Sequence, residues 1–187
     1  DATLRTHLNL PANNPRTRAL AEQWRRETGQ AAGQNEAVIR RMLDHFRQES
    51  FFYTLTPPLL GENGIDQFLF ETRRGFCEHY ASAFVFAMRA AGIPARVVTG
   101  YQGGERNPID GYLIVRQSDA HAWAEAWLEG RGWVRVDPTA AVAPNRIEAG
   151  LASAVPAGEP LPFLVRADLS WLRQIRFRWE AVTNTWN

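Results

Sequence analysis

The chain has no lysine and only one cysteine in 187 residues. Its 21 basic side chains are therefore all arginine. An arginine-rich codon usage explains this without invoking function. An enzyme that joins substrates to lysine amines would, in addition, be unable to modify itself. One cysteine excludes an internal disulfide and leaves the redox compartment open. Charge of one sign is also missing: 21 basic and 20 acidic groups leave a net +1, so a dedicated nucleic-acid or polyanion binder is not expected. No apolar run approaches the ~18 residues of a membrane span, no signal peptide opens the chain, and there are no internal repeats. Asp1 stands where an initiator methionine would, which suggests a piece excised from something longer. Zinc-type ligand spacing and acidic calcium loops are absent as well, so neither a metal nor another cofactor is expected.

What remains is ordinary globular composition, 45% apolar and 22% charged, enough for one core with an appendage. Asn14-Pro15 opens a helix to about Thr28, and residues 35–48 carry Val38, Ile39, Met42, Leu43 and Phe46 at helical spacing. "FFYTLTPPLL" from Phe51 is an extended segment stopped by two prolines, and Ile65 to Glu71 a short helix. From Cys77 to Ala91 the text is apolar on all sides after Tyr80, the pattern of a helix inside a domain. Four β-rich segments follow, Ile93–Tyr101, Tyr112–Arg116, His121–Glu129 and Trp133–Asp137. Helices first and an antiparallel sheet of at least four strands after make the fold class α+β. Alanine, glycine and proline dominate from Ala140 to Pro162. Beyond them Leu172, Ile175, Trp179, Val182 and Trp186 repeat at spacings of 3 and 4 beside four arginines, an amphipathic helix that packs on the domain or leads towards a membrane. The chain accordingly divides into residues 1–148, a linker or strap at 149–163, and a C-terminal helix at 164–187.

Cys77 heads the buried helix. A lone cysteine is most often a small core hydrophobe, but the first helical turn offers unpaired N–H groups and the positive end of the macrodipole, which stabilise a thiolate and can receive an oxyanion. A cysteine nucleophile needs a base, and the base an orienting group. His121 and Asp137 are the candidates. With a three-residue turn at Glu129-Gly130-Arg131, Leu128 faces Gly132, Trp127 opposes Trp133, Glu125 opposes Arg135 and Trp123 opposes Asp137. Small apolar pairs, Ala126 with Val134 and Ala124 with Val136, fill the other face. A one-residue slip scrambles both faces. This register makes His121 and Asp137 diagonal neighbours on one face, and Pro138 holds Asp137 extended.

The segments "GFCEHYASAFVFAMRAAGIPARVVTGY" and "SDAHAWAEAWLEGRGWVRVDPT", with spacings of 44 and 16 residues from Cys77 to His121 to Asp137, closely resemble the bacterial transglutaminase-like superfamily. Likeness is strongest to the soluble domain of TgpA-type inner-membrane proteins. It spans about Phe52 to Thr139. The resemblance implies a papain-like core in which the helix carrying Cys77 packs on the sheet, with extra helices at both ends. It also implies a Cys77–His121–Asp137 triad, acyl transfer from glutamine side chains to primary amines, a periplasmic location and a membrane-anchored parent protein. The expected partners are thus a protein or peptide bearing glutamine and amine groups.

Other residues carry weaker readings. Tyr53 is a candidate second oxyanion donor beside the Cys77 N–H, or plain core packing. Trp123 shares a face with His121 and either walls a substrate groove or simply packs. His79, two residues after Cys77, points to another side of the helix and is expected to be structural or exposed. Two further function classes compete with acyl transfer. One is a cysteine peptidase or amidase acting on peptide or isopeptide bonds, those of cell-wall peptides among them, in which water resolves the same thioester. The other is a non-catalytic binding module.

Overall fold

A computed structural model describes residues 2–29, 33–148, 174–175 and 177–181. The elements in chain order are α1 (Ala2–Thr6), α2 (Pro15–Glu27), α3 (Gln34–Gln48), β1 (Phe52–Tyr53), α4 (Gly64–Gln67), β2 (Arg74–Gly75), α5 (Cys77–Ala90), β3 (Ala95–Tyr101), β4 (Glu105–Arg106), β5 (Leu113–Ile114), β6 (Ala120–Leu128), β7 (Gly132–Val136) and α6 (Pro144–Glu148). The wider turns of Phe68–Thr72 continue α4 into β2, and short 3-10 turns precede β6 and follow β7.

Helix α5 is the centre of the core because no face of it is polar enough to meet water. Tyr80, Ala81, Ala83, Phe84 and Met88 are all fully buried. One side packs on β6 and β3, the other on α2 and α3. Phe46, Phe51 and Phe68 close edge-on around the Tyr80 ring at 5.1 to 6.2 Å. Gly92, at φ +76°, stops the helix and turns the chain into β3.

The sheet against α5 is antiparallel in the order β3–β6–β7. The β6–β7 hairpin has the register read from the sequence, with Leu128 opposite Gly132, Trp127 opposite Trp133 and Ala124 opposite Val136. One expected pairing changes partner. Glu125 stands opposite Arg135 in register, yet its carboxylate pairs with Arg96 of β3 at 2.6 Å. A central strand has two neighbours, and the carboxylate takes the other one. Arg135 is thereby released towards Trp123 and Asp137.

The expected fourth strand of this sheet is elsewhere. Gly103 and Gly104, both at positive φ, carry the chain out of the sheet after Tyr101. A separate small hairpin, β4 with β5, then closes through the Asn107 N–H on the Tyr112 carbonyl at 2.8 Å. Tyr112, Leu113 and Val115 are exposed there. Among the described residues the central sheet therefore has three strands rather than at least four. The alanine- and proline-rich text from Ala140 is also not all linker: it forms a 3-10 turn and α6, whose Arg146 is buried. The segment 149–163 and most of 164–187 lie outside the described residues. Of the latter, Phe177 is buried and its carbonyl accepts from Asn107 Nδ2 at 3.0 Å, whereas Ile175 and Trp179 are exposed.

Two helices cap each other at the front of the domain. Asn14, in the left-handed region at φ 58°, accepts through Oδ1 from the N–H groups of Ile65 and Asp66. Asp66 in return accepts from the Arg16 and Thr17 N–H groups and the Thr17 hydroxyl, at 2.6 to 2.9 Å. These are the donors that a helix start leaves unpaired. They fix α4, and with it the entry into β2, where β1 and β2 run parallel with Tyr53 opposite Gly75. A side chain at Gly75 would meet His79 at 2.7 Å, so only glycine lets β2 pass this close to α5.

Asp66→Ala is expected to lower unfolding free energy by about 2 kcal/mol or more, the worth of charge-assisted bonds lost together with a buried cap. Urea denaturation measures it, and a loss under about 0.5 kcal/mol would contradict the capping account.

Candidate active site

Cys77 is the first residue of α5, 8% exposed, and follows an extended Phe76 at φ −117°. The Phe76 N–H donates to His79 Nδ1 at 3.4 Å, so His79 reaches back to tie the helix start and stands apart from the sulfur. Burial pushes the His79 imidazole below its ordinary value. His79 also borders a cleft of about 420 Å³ with Pro11, Asn14, Leu60, Phe68 and Glu78, and neither Cys77, His121 nor Asp137 lines it.

β6 delivers His121 from the sheet side, with 3% of its surface exposed. Asp137 follows directly on β7, held extended before Pro138 with its Oδ1 accepting from the Thr139 N–H. Across the hairpin, His121 Nε2 and Asp137 Oδ2 are 2.7 Å apart. An ionised carboxylate only accepts, so the proton of this bond belongs to Nε2, and Nδ1 is left as the basic nitrogen. Nδ1 is buried and makes no hydrogen bond of standard geometry. Such contacts commonly tighten only when substrate binds.

Charge coupling ties the sulfur to the ring. Burial alone would push the Cys77 thiol up; the His121 imidazole, the backbone N–H of Ala122 and the Arg146 guanidinium outweigh it, and the thiol titrates below its ordinary range. Burial likewise presses His121 down, but the Asp137 bond and the adjacent sulfur prevail and raise it. The two shifts have opposite signs and share one cause, the interaction of the thiol with the imidazole.

Around this pair the structure places both residues singled out as possible groove or oxyanion groups. Tyr53, 5% exposed, lies beside the Cys77 backbone N–H. Burial and the neighbouring sulfur push its hydroxyl up, against the pull of Arg146. Trp123 stacks on His121 with ring centres 6.3 Å apart, lies over Gly100, and has a buried indole N–H without a partner. Two arginines escaped the sequence reading. Arg135 sits 4.2 Å over the Trp123 ring and 3.4 Å from Asp137 Oδ2. Arg146 is buried on α6 and donates through Nη2 to the Ala120 carbonyl at 2.8 Å; Pro144 ahead of it is the sequence sign of a helix start. Among the described residues no group of three His, Cys, Asp or Glu side chains is arranged to hold a metal ion.

A thiol at a helix mouth, backed by imidazole and then carboxylate, is the arrangement of papain-type folds that work on amide carbonyls. The chain belongs to the transglutaminase-like superfamily, whose family profile matches residues 19–138. A protein-glutamine gamma-glutamyltransferase of Pseudomonas aeruginosa is 50% identical over 96% of this chain and 27% of its own length. The uncharacterized protein YebA of Bacillus subtilis is 36% identical over 71% of this chain and 19% of its own. The crystal structure of the periplasmic domain of TgpA from P. aeruginosa superposes with a TM-score of 0.77 at 54% identity, covering 83% of this chain and 53% of that domain. The chain thus spans about a quarter of the P. aeruginosa transferase and about half of the solved domain.

Because the thiol is lowered, the rate of Cys77 alkylation by iodoacetamide is expected to hold as pH falls through the ordinary thiol range and to decline only below it. His121→Ala removes the chief group opposing burial and shifts that decline to higher pH. A profile identical in the two proteins would contradict the coupling.

Proposed function

We propose that the chain catalyses protein-glutamine gamma-glutamyl transfer through a thioester on Cys77. The observation that carries this reading is the 2.7 Å His121–Asp137 bond behind a buried thiol at the mouth of α5. The likeness to the P. aeruginosa transferase supplies the substrate class.

In the first half-reaction the thiol proton resides on His121 and the thiolate attacks the carboxamide carbon of a glutamine. The oxyanion that forms is received by the Cys77 N–H, with the Tyr53 hydroxyl as second donor. Collapse breaks the C–N bond, the nitrogen takes the proton from His121, and ammonia leaves. In the second half-reaction a primary amine gives a proton to His121 as it attacks the thioester, and the thiolate departs with an isopeptide product formed. Asp137 holds the ring in the Nε2–H form throughout and stabilises its cation. Trp123 walls the groove that the amine enters.

The domain acts in the periplasm as part of a protein anchored to the inner membrane, in line with the solved domain it resembles. Among the described residues no helix is long and apolar enough to cross a membrane.

The test is incorporation of a fluorescent primary amine into a glutamine-bearing protein. Cys77→Ala is expected to reduce it to background and Asp137→Asn to lower kcat by about 10²–10⁴-fold. Ammonia or peptide release without amine product would identify a hydrolase on the same residues. Persistence of transfer in Cys77→Ala would overturn the thioester mechanism.

A further inference from the structure

Arg135 faces Glu125 across the β6–β7 hairpin, yet Glu125 Oε2 is taken by Arg96, whose Nε and Nη2 reach it at 2.8 and 2.6 Å. Other groups hold Arg135. β6 lies between β3 and β7, and the Arg135 side chain crosses it to the far end of β3, where Nη2 donates to Gln102 Oε1 at 2.8 Å. Gln102 is fixed in turn, its N–H donating to the Asp119 carbonyl at 2.8 Å. On the way the guanidinium carbon lies 4.2 Å from the centre of the Trp123 ring, within cation–π range. The indole has room there because Gly100 stands opposite His121 on β3: a Cβ at that position would meet Trp123 Cη2 at 2.9 Å.

The same Nη2 is 3.4 Å from Asp137 Oδ2, and that oxygen is the one 2.7 Å from His121 Nε2. Asp137 is 12% exposed and the Arg135 side chain 47%. An ion pair this open contributes little to stability. Its other two contacts, Gln102 and Trp123, nevertheless bring the guanidinium to the one oxygen on which the imidazole N–H rests.

We propose that Arg135 is a positioning residue that limits how tightly His121 holds its proton: carried across β6 on Trp123 and anchored by Gln102, its guanidinium takes a share of Asp137 Oδ2. A carboxylate oxygen already bonded to a cation attracts an imidazolium less, and a nearby cation disfavours a second one. Asp137 alone would make the ring a strong base and a reluctant acid. With Arg135 present, the ring still accepts a proton and also gives it back. The bearing on turnover rests on the proposed transfer reaction. There, neutral His121 must take a proton from the amine that attacks the thioester, and its cation must first have given one to ammonia. Arg135 itself neither gains nor loses a proton.

The experiment has two arms on the 187-residue chain. The first follows the His121 ring nitrogens by NMR through a pH titration in Cys77→Ala protein, where no thiol titrates beside the ring. Other groups around His121 are Arg135 and Asp137 from the β7 side, Arg146 of α6 on the Ala120 carbonyl, and Asp119 of the preceding turn, which accepts from the Arg116 N–H. On β3 the nearest charge of the same face, Arg96, is paired with Glu125. Adding Arg135→Leu is expected to move the ring's titration to higher pH than in the Cys77→Ala parent, with the neutral ring still protonated on Nε2. Arg135→Lys keeps the charge and is expected to return the titration towards the parent's, and Gln102→Ala to shift it as Arg135→Leu does, by less. A merely structural Arg135 would do the reverse: losing it would loosen the Asp137 bond and bring the ring down towards about 6.5. That result, or a titration unchanged by Arg135→Leu, would overturn the inference. Should Arg135→Leu fail to fold, Gln102→Ala decides by the same signs.

The second arm measures amine incorporation against pH with Cys77 in place. Arg135→Leu is expected to lower kcat near pH 7 by about 3- to 10-fold, a small part of what an acid–base group supplies, with KM little changed. Most of the loss is expected to be recovered at alkaline pH, because the acid limb of kcat moves up with the ring. A loss equal at every pH would contradict the inference. Transfer that survives in Cys77→Ala would instead remove the proposed function and leave the first arm to decide on Arg135.

Discussion

The bond between His121 and Asp137 is the constraint on which the rest of the site depends, and it is set by strand pairing rather than by the two residues themselves. A hairpin that slipped by one residue would send Asp137 to the opposite face of the sheet from His121. Trp127 against Trp133 on one face, and Ala124 and Ala126 against Val136 and Val134 on the other, fix that register. The same small residues let the sheet lie close on α5, which brings the imidazole over Cys77. Packing and chemistry are thus decided by one alignment of two strands.

Charge is distributed around that alignment in a consistent way. Positive or donor groups gather at the sulfur: the N-terminus of α5, the Ala122 N–H, His121 and Arg146. Negative charge stands one residue further back, at Asp137, where it holds the ring and is in turn steadied by Arg135 and the Thr139 N–H. A buried thiol without this surround would be an inert core residue. The difference between the two fates of a lone cysteine lies in its neighbours.

Much of this was legible in the amino-acid text because it is local or strictly periodic. The apolar run after Tyr80 identified the central helix, and cross-strand matching predicted the hairpin down to its pairs. Glu125 was assigned the wrong cationic partner because a one-hairpin reading sees a single neighbouring strand, whereas β6 has two. The segment Tyr112–Arg116 carries a strand pattern, and nothing local says which sheet it joins; the glycines at 103 and 104 decide that by turning the chain away. Arg146 was invisible for a different reason. A charged residue in alanine- and proline-rich text reads as surface, and only the closing of three distant segments over it makes it a core residue. The reciprocal caps of Asn14 and Asp66 are equally non-local, each serving the other's helix.

The central claim is that Asp137 fixes the proton of His121 on Nε2 and leaves Nδ1 to the sulfur. Nitrogen-detected NMR of the His121 ring across a pH titration tests it most directly. The account predicts an imidazole that titrates above the ordinary histidine value of about 6.5, with Nε2 bearing the proton in the neutral form. A ring titrating at or below that value, with the proton on Nδ1, would contradict it.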